Sequence, residues 1–227
     1  HDFITCCADH LEQQLYPLTA WGTEYVAVRS MPRGAEKDAW RILAAENDTQ
    51  VTVTPALIQI PTLNAAEWYE FETNEDFLIQ SNRPILVGQF LAAEHAPAPG
   101  SQPGDADTGD PAFMLAVPVR QYRDSYVFLA PDQYEQDFVS ISLTAGTVAR
   151  LDGEEVDDIY PLLPDSKLFQ INDIAGTVWQ AVRLRIADGY HVLTCESPCA
   201  VMVHGYDRFV SYGYPGGLNL EKEEEDL

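Results

Sequence analysis

Short apolar or alternating runs, separated by turn formers, recur along the chain. Thr49-Gln50-Val51-Thr52-Val53-Thr54 alternates strictly, which marks a strand with one face buried. Glu24–Val28, Trp40–Ala44, Leu57–Ile60, Glu67–Phe71, Phe77–Ile79 and Pro84–Phe90 read as further strands. They are bounded by turn formers such as Pro32-Arg33-Gly34, Asn47-Asp48 and Pro61. About seven short β segments at this spacing predict a sandwich. Asp9–Leu15 carries one or two turns of helical pattern, which Pro17 ends because its ring cannot continue a helix.

The same order of events returns later. Glu67–Phe71, an acidic turn through Asp76, Phe77–Ile79, Ser81-Asn82-Arg83 and Pro84–Phe90 have a parallel in the second half. There Val182–Ile186 is followed by Asp188-Gly189, Tyr190–Leu193, Glu196-Ser197-Pro198 and Val201–Tyr206. Ser125–Leu129 parallels Glu24–Val28, and Phe138–Leu143 and Thr147–Leu151 flank a turn at Gly146. The expected fold is all-β, with two related antiparallel β-sandwich units from an internal duplication. The organisation is a lead-in over 1–16, a first unit over 17–91, a Pro-, Gly- and Asp-rich loop over 92–112, a second unit over 113–217 and an acidic tail over 218–227. Tyr160–Ile174 is an insertion that the first half lacks. The Glu221–Asp226 run reads as a disordered tail.

Charge narrows the partners. The 13 basic and 36 acidic residues give a formal charge of -23, which repels nucleic acid and anionic membranes. Hydrophobic residues at 46% supply a core. No apolar run reaches the roughly 20 residues of a membrane span, so membrane insertion is not expected. The start at His1-Asp2, with no basic and apolar leader, fits a processed or excised segment.

Four cysteines stand at positions 6, 7, 195 and 199. Adjacent cysteines rarely bridge, because a disulfide wants Cα atoms about 5.5 Å apart. The economical arrangement therefore pairs Cys6 and Cys7 crosswise with Cys195 and Cys199. The alternative is a local Cys195–Cys199 bridge that leaves Cys6 and Cys7 for another chain. Oxidised cysteines imply a location outside the cytoplasm.

Several motifs in order carry a family resemblance. They are Trp40-Arg41-Ile42-Leu43-Ala44 ahead of the Thr-Val-Thr-Val strand, Leu63-Asn64-Ala65-Ala66-Glu67-Trp68, Pro84–Phe90, Gly109-Asp110-Pro111 leading to Pro118, and Ser211–Gly217. From about Tyr16 to Gly217 the chain resembles the N-terminal domain family named after the IgGFc-binding protein of mucus. Cys6-Cys7-Ala8-Asp9-His10 and the acidity are similar to the bacterial members. The resemblance implies a secreted or cell-surface module that binds a protein or glycan and does not catalyse. It transfers no residue signature for Fc binding. Gly109-Asp110-Pro111 is similar to the Asp-Pro self-cleavage motif of von Willebrand type D modules, but Ala112 stands where that motif has His. Self-cleavage is not expected.

Candidate sites compete with plainer readings. Asp105, Asp107 and Asp110 offer the oxygen ligands that Ca²⁺ takes from acidic loops, without the EF-hand order; the plain reading is a solvated turn, so no cofactor beyond a possible Ca²⁺ is expected. His10, His191 and His204 lie within a few residues of cysteines. Cys6 or Cys7 with His10, Cys195 and Cys199 could build a Zn²⁺ site, although the spacing matches no compact zinc motif and disulfides compete for the same sulfurs. His1 as a mature N-terminus would suit copper. Asn47-Asp48-Thr49 is a glycosylation sequon, meaningful only in a eukaryotic secretory setting. No nucleophile elbow, phosphate loop or dinucleotide fingerprint is present. Tyr206, Phe209, Tyr212 and Tyr214 either line a recognition surface or close the second core. A second role consistent with the strands is a surface-layer or filament subunit that self-associates through exposed edges.

Overall fold

The computed structural model describes residues 10–97, 108–159 and 168–220. Two antiparallel sheets account for the fold, one of six strands and one of eight. The first is built from β1 (Gly22–Ala27), β2 (Asp38–Ala44), β3 (Val51–Thr54), β4 (Trp68–Thr73), β5 (Phe77–Phe90) and β6 (Phe113–Leu115). The second holds β7 (Arg123–Ala130), β8 (Gln136–Thr144), β9 (Ala149–Leu151), β10 (Glu154–Glu155), β11 (Phe169–Asp173), β12 (Trp179–Ile186), β13 (Gly189–Asp207) and β14 (Val210–Pro215).

Each sheet is organised by one long bent strand. The N-terminal half of β5 pairs with β1 and β3, and its C-terminal half with β2 and β6. β13 does the same, pairing first with β7 and β9 and then with β8 and β14. β4 extends the first sheet from β2, as β12 extends the second from β8. The runs that read as separate strands around Ser81–Arg83 and Glu196–Pro198 are therefore the corners of single strands. Pro84 and Pro198 sit where the ladder changes partners, a place where the missing N–H costs little.

The bend lets each sheet fold over its own core. Tyr25, Trp40, Ile42, Phe77, Ile79, Ile85 and Val87 fill the first, with Trp40 edge-on to Phe77 at 5.2 Å. Tyr126, Phe128, Val139, Ile141, Leu193 and Val201 fill the second, with many others. A tyrosine ties each corner. Tyr25 donates its hydroxyl to the carbonyl of Ile85 and accepts from the N–H of Gly22. Tyr126 does so with Cys199 and Arg123. Each tyrosine follows a 3-10 turn opened by a proline, Pro17 or Pro118.

The two sheets share a buried seam. Val26, Val28 and Leu78, on the outer face of β1 and β5, pack against Tyr122, Trp179, Ala181 and Ala200. Met31 and Met114 meet Phe138 and Tyr206. Polar groups cross the seam as well. Arg183, almost fully buried, donates Nε to the carbonyl of Arg29 at 2.8 Å and pairs with Asp76.

Four expectations change. Phe113–Leu115 pairs with β5, so it completes the first sheet instead of opening the second unit. Leu57–Ile60 forms no strand, and residues 10–16 form no helix. The fourth is the crosswise cysteine pairing. Cys195 bonds to Cys199, because the β13 corner brings these two together with Cα atoms 6.4 Å apart. Cys6 and Cys7 lie outside the described residues, as do most of the Tyr160–Ile174 insertion and the acidic run from Glu221.

Candidate binding surface

β7 alternates as a strand must, but both of its faces are apolar. Tyr126, Phe128 and Ala130 turn into the second core. Val127 and Leu129 point the other way and are 69% and 57% exposed. Antiparallel register sets Tyr190 of β13 opposite Leu129, and Tyr190 is 77% exposed. Beside them β14 contributes Tyr212 and Tyr214, and the turn before β8 contributes Tyr134. Together with Pro131 they border a shallow, open surface region of about 620 Å³.

The ring geometry is held by hydrogen bonds. Tyr212 donates its hydroxyl to Asp137 Oδ1 at 2.5 Å, and Tyr134 stands edge-on to Tyr212 at 4.6 Å. Burial raises the pKa of Asp137, opposed by that hydrogen bond. Burial, followed by the bond to Asp137, also raises the pKa of Tyr212, so its hydroxyl stays the donor. The Tyr214 hydroxyl donates to the carbonyl of Leu129 and accepts from its N–H. That plugs the outer edge of β7 at Leu129 and discourages strand addition there. What remains open is the face.

A second apolar surface lies on the first sheet. The Arg41 guanidinium sits 4.7 Å from the Trp68 ring centre and 5.0 Å from that of Phe90, and both Nε and a terminal nitrogen of Arg41 donate to Glu70 Oε2. Phe90 and Phe113 stack at 4.4 Å. Gly88 permits this, since a Cβ there would stand 2.8 Å from the Phe113 ring. Trp68 is 56% exposed, beside a hollow of about 240 Å³ that Leu15, Leu43, Leu86 and Leu115 also line.

A cleft of about 260 Å³ at the seam is lined by Met31, Arg33, Thr108, Phe138 and Tyr206. Arg33 is committed there to structure: it donates to the carbonyls of Thr108 and Ala92 and lies over the Tyr206 ring.

The four candidate aromatics separate. Tyr206 is fully buried, with its hydroxyl on the carbonyl of Met31, so it belongs to the seam. Phe209 is exposed at the β13–β14 hairpin, in the left-handed region at φ 57°. Tyr212 and Tyr214 are half-buried: they pack against the second core and also border the open face. Asp110 is buried, and its N–H donates to Ser211 Oγ; Asp105 and Asp107 lie outside the described residues. Among the described residues no group of three or more His, Cys, Asp or Glu is placed to hold a metal ion. The zinc set loses Cys195 and Cys199 to their disulfide. His191 pairs with Asp152, and His204 accepts from the N–H of Met31. His1 also lies outside the described residues. Thr49 of the sequon is buried, with its hydroxyl on the Glu46 carbonyl.

Comparison with known proteins adds one decisive match. The family model described as IgGFc binding protein covers residues 2–205. The chain belongs to the IgGFc-binding protein family. That membership accords with the all-β fold and with a module that binds. No curated protein matches the chain. Among solved structures, an α-L-rhamnosidase of Streptomyces avermitilis complexed with L-rhamnose is 10% identical over 87% of this chain and 26% of its own, with a TM-score of 0.26. An anti-sigma factor domain-containing protein is 9% identical over 85% of this chain and 81% of its own, with a TM-score of 0.22. The chain thus spans about a quarter of the rhamnosidase, and likenesses of this size carry no argument about fold or function.

Proposed function

We propose that this member of the IgGFc-binding family is a non-catalytic recognition module working outside the cytoplasm, and that its protein ligand docks on the tyrosine-lined face of β7, β13 and β14. The observation that carries the reading is the grouping of Val127, Leu129 and Tyr190, all strongly exposed, on a chain of net charge -23. Apolar clusters of this kind on a highly charged protein mark interaction sites. Tyrosine suits the task because it brings contact area and a polar tip at little conformational cost. The Cys195–Cys199 disulfide supports an oxidising location. The matching strand order around β5 and β13 supports an origin by internal duplication.

The family's name supplies a first probe. Surface plasmon resonance against immobilised immunoglobulin G Fc, comparing the wild type with Tyr190→Ala, should show saturable binding weakened about tenfold or more, as for a buried aromatic anchor. Binding that ignores Tyr190→Ala would move the site off this face. No binding would remove immunoglobulin as the ligand.

A further inference from the structure

The internal seam predicts what the open faces are for. Tyr25 and Tyr126 hold equivalent places, since each ties its corner with the same two hydrogen bonds. The residues after them correspond accordingly. Val26 lies opposite Leu78, and Val127 opposite Val192. Val28 likewise corresponds to Leu129. In the first sheet this face is covered by the second sheet. In the second sheet it is bare.

The covering side has its own counterpart. In the second sheet it is the outer face of β8, β12 and β13, where Ser142 lies opposite both Ala181 and Ala200. In the first sheet Leu43 takes the place of Ser142, lying opposite both Trp68 and Leu86. There Tyr16 and Trp21 of the same chain close over Leu86 and Leu115, and Trp68 at the β4 edge stays 56% exposed. One pair of faces is therefore joined within the molecule, while the β7–β13 face and the Trp68 edge of the β2–β4 face remain exposed.

We infer that a second copy of this chain is the occupant: the β7–β13 face of one molecule docks on the β2–β4 face of the next, repeating the internal seam. This rests on the reading of the tyrosine-lined face as a binding surface. The side chains at the open ends differ from those of the seam in a compensating way. The bulky Trp68 replaces the small Ala181, and the face that would receive it is a shallow, open surface bordered by Tyr134, Tyr190 and Tyr214. Because the two faces are different surfaces, the contact is heterologous and adds chains head to tail instead of closing a two-fold dimer. The net charge opposes association, so salt strengthens it by screening.

Light scattering after size-exclusion chromatography in about 0.5 M salt, which shortens the screening length well below 10 Å, tests this with wild type, Val127→Asp and Trp68→Asp. Both positions are exposed, so each variant should keep the wild-type circular dichroism spectrum and unfolding midpoint. The wild-type mass should climb with concentration without a fixed end point. Each variant alone should stay monomeric, and an equimolar mixture should give a one-to-one dimer and nothing larger, because each partner then has one working face. A wild type that is monomeric up to about 1 mM overturns the inference. So does a Trp68→Asp chain that still dimerises, since that contact would be tyrosine face to tyrosine face. A monomeric wild type whose Fc binding is lost on Val127→Asp would overturn self-association while leaving the recognition reading standing.

Discussion

The Tyr126 hydroxyl donates to the Cys199 carbonyl at 2.5 Å, across the corner where β13 leaves β7 and joins β8. It also accepts from the N–H of Arg123 at 3.0 Å, so one buried side chain satisfies two main-chain groups that the bend removes from the ladder. Tyr25 does the same at the β5 corner. Tyr126→Phe keeps the ring and strips both bonds, leaving buried groups unpaired. The expected cost is about 1–3 kcal/mol, read as a lower urea midpoint with unchanged slope. Tyr25→Phe should behave alike, and no loss at either position would mean that the corners are held by packing alone.

Arg183 carries a buried charge whose counter-charge, Asp76, comes from the other sheet. Asp76→Ala leaves the guanidinium uncompensated and should cost roughly 3–5 kcal/mol, while the double change Asp76→Ala with Arg183→Met should recover much of that loss. Chemical denaturation of the three proteins closes the comparison. A double variant as unstable as the single one would show that the pair does not act as a unit.

His204 is buried beneath the seam, and its Nε2 accepts from the N–H of Met31 at 2.9 Å. A backbone N–H can only donate, so the ring is neutral. Burial first, and then the charges of Arg183 and Arg33, lower its pKa to about 3. The unfolded chain, titrating near 6.5, therefore binds the extra proton between the two values. His204 stabilises the fold above about pH 6.5, and that contribution is lost as pH falls toward 3, with a slope of up to about 1.4 kcal/mol per pH unit. Asp38 and Asp137 have pKa values raised chiefly by burial, so their contributions run the opposite way, favouring the fold as pH falls through the range above their unfolded values. Urea titrations from pH 4 to 7 should show acid destabilisation in the wild type and a flatter or reversed profile in His204→Gln. A slope unchanged by that substitution would contradict the assignment.

The strands were legible because alternation and turn residues are local. Thr49–Thr54, Trp40–Ala44 and Phe138–Leu143 lie within or across the observed β3, β2 and β8. The corners were not, since Ser81–Pro84 and Glu196–Pro198 look like turns until a partner switch on each side is known. The local disulfide depends on the same corner. Tyr206, Tyr212 and Tyr214 lie close together in sequence yet have different fates, because Tyr206 is buried in the seam while Tyr212 and Tyr214 pack half-buried against the second core at the margin of the open face. The binding face had a signal that went unused: Tyr126-Val127-Phe128-Leu129-Ala130 is apolar at every position, which in a strand reads as burial on both faces. Only the arrangement of the sheets reveals that one of those faces is open.

The claim that one chain's β7–β13 face meets another's β2–β4 face is tested most directly by site-specific cross-linking. One preparation carries Thr194→Cys and the other Glu72→Cys, exposed positions along the same strands as Tyr190 and Trp68 that leave both anchors in place. The two are mixed with a bismaleimide at a concentration where the wild type associates. The head-to-tail account predicts cross-linked product only in the mixture, joining position 194 of one chain to position 72 of the other. Product formed as readily by the Thr194→Cys chain alone, or none in the mixture, would contradict it.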